Sequence, residues 1–425
     1  MMEIEEIQER AILVGVDRPG DSWPVESSLE ELARLIDTVG ATVVATTTQR
    51  MTSPNPRTFI GSGKAEEVAE MCRAYAADLV VFDDELSPSQ QANLEKIVDR
   101  DIKVIDRTAL ILDIFALHAT TKEGRLQVRL AQNQYLYPRL RGMWAHLASN
   151  RMGGGVGSRF GEGESQLEVD RRMVRNRISS IKRELARLDE RRALQRERRY
   201  DSATFKIALA GYTNAGKSSL INRLTSSDVL SMDKLFATLD STTRKLKLPE
   251  GREVTITDTI GFIRKLPTTL VESFKSTLDE INGADLILHV IDASSDEITY
   301  QVETVEEVLG QIGADKIERI EVFNKVDAVE SPDLVQRLAK SHPDAVLVSA
   351  LTGQGIDELV DRIAKVAAAR DDLLDVLIPY SRGDLVATAH KRCHIISESH
   401  DAAGTHMRLY APPECAHLFK EFASQ

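Results

Sequence analysis

The chain has 425 residues, of which 42% are hydrophobic and 28% charged, and a formal net charge of −12. That usage is ordinary for soluble globular proteins; it excludes a disordered, collagenous or low-complexity chain and predicts two to four domains. No apolar run approaches the ~18 residues of a membrane span, the acidic start MMEIEEIQER lacks a signal-peptide pattern, and Cys72, Cys393 and Cys415 stand far apart without metal spacing. A reduced cytoplasmic setting is therefore expected, with no disulfide framework, zinc site or stable membrane insertion.

In residues 1–120, β-like runs (Ala11–Val16, Thr42–Thr47, Leu79–Phe82, Lys103–Ile105) alternate with helical patterns (Leu29–Val39, Ala65–Ala76, Pro88–Val98). That alternation predicts an α/β domain with a mainly parallel sheet. Gly61-Ser-Gly63-Lys64 precedes a helix and reads best as a tight turn with an N-cap; a phosphate site there, for ATP, is the alternative.

Residues 121–202 show no strand signal. Leu126, Leu130, Tyr137, Leu140, Trp144 and Leu147, then Val174, Ile178, Ile181, Leu185 and Leu188, recur at coiled-coil spacing. Two helices joined by a glycine-rich tip, 149–164, predict an antiparallel helical hairpin, with Pro138 breaking the first pattern and kinking it, and Trp144 read as a hairpin-core anchor rather than a base-stacking platform. From Arg125 to Arg199 there are 18 Lys/Arg against 8 Asp/Glu, so this element carries +10 and the remainder −22. A basic element between acidic bodies is suited to a polyanion. At its tip Arg151 and Arg159 stand among Gly153, Gly154, Gly155 and Gly157, where exposed backbone and guanidinium planes suit irregular RNA. A charged spacer between two domains is the plainer alternative.

Residues 203–370 alternate strands (Phe205–Ala210, Glu253–Thr257, Leu286–Ile291, Arg319–Phe323, Ala345–Val348) with helical stretches, and a short α+β tail occupies 371–425, with strands near Val376–Ile378, His394–Glu398 and Met407–Tyr410. After the first of these strands comes Gly211, Tyr212, Thr213, Asn214, Ala215, Gly216, Lys217 and Ser218, the G-x-x-x-x-G-K-[ST] pattern. Its backbone N–H groups curl around phosphate, Lys217 reaches the outer phosphates and Ser218 offers a hydroxyl to Mg2+. Asp258-Thr259-Ile260-Gly261 ends the next strand, where a carboxylate holds Mg2+ through water and the Gly261 N–H meets the γ-phosphate. Asn324, Lys325, Val326 and Asp327 follow a later strand. The Asp327 carboxylate accepts from guanine's N1–H and amine, a donor pair adenine lacks. Ser349, Ala350 and Leu351 follow the last strand and supply an N–H for guanine's O6. Because all four motifs fall at strand carboxyl ends, where open α/β sheets bind ligands, the reading is a Mg2+-dependent GTP-binding domain.

Phe236, Ala237, Thr238, Leu239 and Asp240 resemble the F-T-T-L switch of Obg-type GTPases. Thr238 is the chosen threonine to close over Mg2+, and Thr242 and Thr243 are competitors. Where a Ras-type enzyme has a water-orienting glutamine this chain has Phe262, so catalysis rests on Lys217, Gly261 and Asn214. Asn214 stands where potassium-activated GTPases hold K+; its alternative role is to bond its own loop.

The stretch Arg151-Met-Gly-Gly-Gly-Val-Gly-Ser-Arg159-Phe-Gly-Glu-Gly-Glu-Ser-Gln-Leu-Glu-Val-Asp-Arg171-Arg172 is similar to the R-x-G-G-I-G-x-R-G-P-G-E-T-Q-L-E-x-D-R-R of HflX-type ribosome-associated GTPases. GYTNAGKS, FATLD, DTIGFIRKLP and IPYSRGDL also resemble that family. Phe160, Glu162 and Ser165 depart from its Gly, Pro and Thr. The resemblance implies an N-terminal α/β domain, a helical hairpin, a GTPase domain and a small C-terminal domain. It further implies GTP-governed binding to the large ribosomal subunit and its rRNA, in splitting or rescue of stalled ribosomes or in subunit assembly. The chain is then expected to be cytoplasmic, partly ribosome-associated and monomeric off the ribosome. A non-hydrolysing assembly scaffold and a membrane-linked regulator are the competing classes.

Overall fold

A computed structural model describes residues 8–21, 23–99, 101–150, 160–199, 205–225, 235–236, 239, 241–249, 251–267, 270 and 273–423. Two compact units emerge. One gathers Met1–Arg187 with the excursions Met232–Asp240 and Ile263–Lys275; the other holds Leu188–Ser231, Ser241–Phe262 and Ser276–Gln425.

In the first unit β1 (Arg10–Asp17), α1 (Val25–Thr38), β2 (Thr42–Arg50), α2 (Ser62–Tyr75), β3 (Leu79–Phe82), α3 (Pro88–Val98), β4 (Lys103–Asp106) and α4 (Arg107–His118) build an all-parallel sheet in the order β2-β1-β3-β4. β1 and β3 are apolar along nearly their whole length because both faces are covered. α3 starts on a capping box: Ser87 accepts from the Gln90 N–H and the Gln90 side chain accepts from the Ser87 N–H, with Pro88 at the first turn. Gly61 is the N-cap of α2, and Lys64 bonds Thr47 at 3.0 Å and Glu67 at 2.8 Å.

Two long helices follow, α5 (Lys122–Asn150) and α6 (Phe160–Arg199). α5 runs through Pro138 as one helix, so the proline does not end it. α6 already begins within the expected tip loop, at Phe160. The tip residues 151–159, and with them the RNA-contact expectation for Arg151, Gly153, Gly154, Gly155, Gly157 and Arg159, lie outside the described residues, as does the side chain of Trp144.

The second unit contains β5 (Lys206–Gly211), α7 (Lys217–Thr225), β6 (Thr242–Lys247), β7 (Glu253–Asp258), α8 (Lys275–Asn282, from Ser276 on), β8 (Leu286–Asp292), α9 (Ile298–Gln311), β9 (Arg319–Asn324), α10 (Pro332–Ser341), β10 (Val346–Leu347) and α11 (Ile356–Arg370). They form a six-stranded sheet, β10-β9-β8-β5-β7-β6, parallel except for β6. Leu209, Leu220, Val254, Leu288, Val322 and Ile363 close its core, each under 1% exposed. Beyond α11, β11 (Asp372–Ile378), α12 (Gly383–Arg392), β12 (His394–His400), β13 (Thr405–Ala411) and α13 (Pro413–Phe419) form an antiparallel sheet, β11-β13-β12, with its own core around Val376, Met407 and Phe419. Here Cys393 and Cys415, far apart in sequence, come to 3.7 Å between sulfurs.

His289 sits in the middle of β8, between Ala210 of β5 and Glu321 of β9, and is 2% exposed. Burial, reinforced by the charges of Arg319 and Lys217, pushes its pKa down from 6.5 to about 4. The unfolded chain therefore takes up a proton below pH 6.5 that the folded chain refuses until about pH 4. Stability should fall as pH drops through that window, by up to roughly 1.4 kcal/mol per pH unit from this group. Urea unfolding across the window checks this: His289→Gln is expected to flatten the slope, and an unchanged slope would refute the assignment.

Candidate functional site

The phosphate loop leaves β5 at Gly211, turns through Asn214 at φ 60° and Gly216 at φ 88°, and enters α7 at Lys217. Asparagine tolerates the left-handed region, but at Gly216 a Cβ would collide with Asn324 Nδ2, so glycine is demanded there. Lys217 is 7% exposed, and its Nζ donates to the carbonyls of Gly211 at 3.0 Å and Tyr212 at 2.8 Å. Burial pushes its pKa down to about 8; Asp258 opposes that shift and Lys325 adds to it.

β7 brings Asp258 beside this loop. Ser218 Oγ donates to Asp258 Oδ2 at 2.7 Å, and Thr259 Oγ1 is spent on the Leu209 carbonyl at 2.6 Å. A hydroxyl paired with a carboxylate is the hard-oxygen donor set that Mg2+ takes, so Ser218 and Asp258 fit that ion. Past Ile260 and Gly261, Phe262 is locked to the phosphate loop. The Thr213 N–H donates to its carbonyl at 2.7 Å, and its own N–H donates to Gly211 O at 3.1 Å.

β9 delivers the base-reading motif. Asn324, 1% exposed, ties the site together: its Nδ2 donates to Ala215 O at 2.9 Å and its Oδ1 accepts from the Ala350 N–H at 3.0 Å. Lys325 takes φ 64° and pairs with Asp292 at 2.8 Å. Val326 is anchored to Val348 O, which leaves Asp327 exposed. Ser349 is buried and Leu351 exposed. The expected site residues from Gly211 to Ser218, Asp258 to Gly261, Asn324 to Asp327 and Ser349 to Leu351 thus gather at one carboxyl edge of the sheet.

The switch region is different. Ala237, Thr238 and Asp240 lie outside the described residues. Thr242 and Thr243, the competitors of Thr238, open the antiparallel strand β6, where Thr243 Oγ1 meets Thr257 Oγ1 at 3.0 Å. Phe236 is buried in the first unit, its ring edge-on to Phe115 at 4.7 Å.

Sequence reasoning missed the pair that follows Phe262. Within the first unit Lys265 reaches Asp83 at 2.5 Å and Asp84 at 2.8 Å, while Arg264 donates to Ser28 Oγ at 3.1 Å and lies over the Trp23 ring. Arg107, itself bonded to Glu31, is 2.7 Å from Asp83. Burial pushes the Asp83 carboxyl up, but Arg107 and Lys265 outweigh it and hold it below the usual carboxylate range. Arg264 and Lys265 fall within DTIGFIRKLP, but nothing along the sequence pairs them with Ser28, Asp83 and Asp84.

Together, the phosphate loop, the D-x-x-G carboxylate and the N-K-x-D edge on one parallel sheet define a P-loop GTP-binding protein. Residues 26–116, 118–199 and 206–325 match the families described as GTP-binding GTPase N-terminal, GTP-binding GTPase Middle Region and 50S ribosome-binding GTPase. Proteins named GTPase HflX from Lacrimispora saccharolytica and Caldanaerobacter subterraneus subsp. tengcongensis are 42% and 43% identical to the chain; the alignments cover 97% and 99% of it, and 96% and 95% of those proteins. The chain belongs to the HflX family of GTPases. Among solved structures, it is similar to a GTP-binding protein from Sulfolobus solfataricus in complex with GDP, at 23% identity and a TM-score of 0.43, over 85% of this chain and 99% of that one.

Proposed function

We propose that this GTPase couples Mg2+-dependent hydrolysis of GTP to binding of the large ribosomal subunit and its rRNA, and that its task is to split or rescue stalled ribosomes or to act in subunit assembly. The observation that carries the nucleotide half is Asn324, whose side chain joins the phosphate loop to the base-reading loop. Ser218, with Asp258 through water, would hold Mg2+, and the ion supplies charge neutralisation at the β- and γ-phosphates when bound. Thr238 is the switch threonine of this reading. Asn214, in its left-handed turn, would supply an oxygen to K+, and Lys217 would swing from its carbonyl partners to the phosphates.

The ribosomal half is supported by the match to 50S ribosome-binding GTPases and by the basic surface of α6. Arg172, Arg175, Arg177, Lys182, Arg183 and Arg187 are exposed there. Arg175 bonds the Tyr137 hydroxyl at 2.7 Å and Arg171 lies 5.3 Å from the Tyr137 ring centre, a pairing of guanidinium and aromatic planes that suits RNA. Among the described residues no helix is long and apolar enough to cross a membrane. In this reading the chain works in the cytoplasm, is monomeric off the ribosome and divides into domains 1–120, 121–202, 203–370 and 371–425. ATP at the N-terminal sheet is not part of this proposal, since Lys64 is engaged by Thr47 and Glu67.

The test replaces 151–163 by a short Gly/Ser linker and follows hydrolysis with purified large subunits. GTP affinity should be unchanged, because the phosphate-loop, D-x-x-G and base-reading residues (211–218, 258–261, 324–327 and 349–351) belong to the second unit and the replaced segment to the first. Stimulation by the subunit should collapse, and the log–log salt dependence of binding should flatten by about 2, one unit per lost arginine–phosphate contact. Full stimulation in the linker variant would support the spacer role instead.

A further inference from the structure

Phe262 raises a chemical problem. At the place of a water-orienting glutamine it offers a ring that is 1% exposed, and both its N–H and its carbonyl are bonded to the phosphate loop. The same zipper fixes Thr213. This threonine is 7% exposed, its N–H is used on Phe262, and its Oγ1 is a buried hydroxyl without a hydrogen-bond partner among the described residues. Thr213 also lies directly on Gly261: a Cβ built on that glycine would stand 3.0 Å from Thr213 Cα, Thr213 Cγ2 and Lys217 Nζ alike. Three groups therefore converge on the ground where a γ-phosphate meets the D-x-x-G glycine. Lys217 brings charge there and Gly261 a backbone N–H, while Thr213 meets the glycine with its Cα and its Cγ2 methyl and carries the buried Oγ1 on the same Cβ.

A buried hydroxyl that bonds nothing has been desolvated without return, which proteins seldom tolerate outside functional sites. We infer that Thr213 is a catalytic residue: its Oγ1–H donates to an oxygen of the γ-phosphoryl group of GTP, a group GDP lacks, and that bond strengthens as negative charge develops during transfer. A donor to the developing charge stabilises the transition state, and the apolar Phe262 cannot contribute one. The inference rests on the GTPase reading of the same site. It adds a residue whose side chain, unlike the loop's backbone, distinguishes the triphosphate from the diphosphate.

The experiment compares Thr213→Val, which keeps the branched shape and removes the hydroxyl, with Thr213→Ser, which keeps the hydroxyl. Affinities for GDP and a non-hydrolysable GTP analogue are measured by fluorescent-nucleotide titration, and hydrolysis by single turnover at saturating GTP. Thr213→Val should bind GDP within about twofold of wild type, bind the analogue several-fold more weakly, and hydrolyse GTP about tenfold to a hundredfold more slowly. Thr213→Ser should recover most of that rate. Wild-type hydrolysis by Thr213→Val would overturn the inference. So would an equal loss of GDP and analogue binding in both variants, which would make Thr213 a packing residue of the loop. Neither result would touch the GTPase assignment, which only a failure of the wild-type protein to bind and hydrolyse GTP would sink.

Discussion

Asp327→Asn should lower GTP affinity by about a hundredfold or more and make xanthosine triphosphate the preferred nucleotide. A carboxylate that accepts from guanine's N1–H and amine makes two charge-assisted bonds, worth roughly 1.5–3 kcal/mol each, and an amide can satisfy only part of that pair. Xanthine presents a carbonyl where guanine has its amine, and the new Nδ2 can donate to it. The substitution is clean because Asp327 is exposed in the middle of the short turn Val326–Ala328, flanked by the buried Asn324 and Val326. Competition of GTP and xanthosine triphosphate against a fluorescent guanine nucleotide reads the result. Unchanged GTP affinity would show that the base is read elsewhere.

Gly216→Ala should abolish measurable nucleotide binding while the rest of the sheet still folds. The residue holds φ 88°, where an L side chain costs about 1–2 kcal/mol, and the added methyl would drive into Asn324 Nδ2. Asn324 must then give up its bond to Ala215 O, and with it the register of the Ala350 N–H. Each buried polar group left unpaired costs about 1–3 kcal/mol, so the phosphate loop and the base loop lose alignment together. Isothermal titration with GDP, alongside circular dichroism to confirm the fold, decides it; wild-type GDP affinity would mean that the glycine and the asparagine are not coupled.

Much of the nucleotide site was legible because its chemistry is local. Backbone N–H groups around phosphate need glycine at fixed offsets, and a strand before and a helix after can be read from periodicity alone. The parallel strands showed as apolar runs for the same reason, with both faces buried. What escaped was non-local or lacked periodicity. β6, TTRKLK, buries little beyond Leu246 and so carries no alternating apolar signal. α4 is apolar nearly all round, which hides the helical repeat. Pro138 reads as a break and a kink, yet α5 continues through it as one helix. The approach of Cys393 to Cys415 and of Lys265 to Asp83 depends on sheet topology and on where loops return, which spacing along the chain does not encode.

The coupling of nucleotide state to the large ribosomal subunit is tested most directly by co-sedimentation of the full chain with purified large subunits, in a non-hydrolysable GTP analogue and in GDP at the same salt. A switch requires different affinities in the two nucleotide states, so the chain should pellet with the subunit in the analogue and remain largely in the supernatant in GDP. Equal pelleting in both, or none in either, would contradict a GTP-governed association.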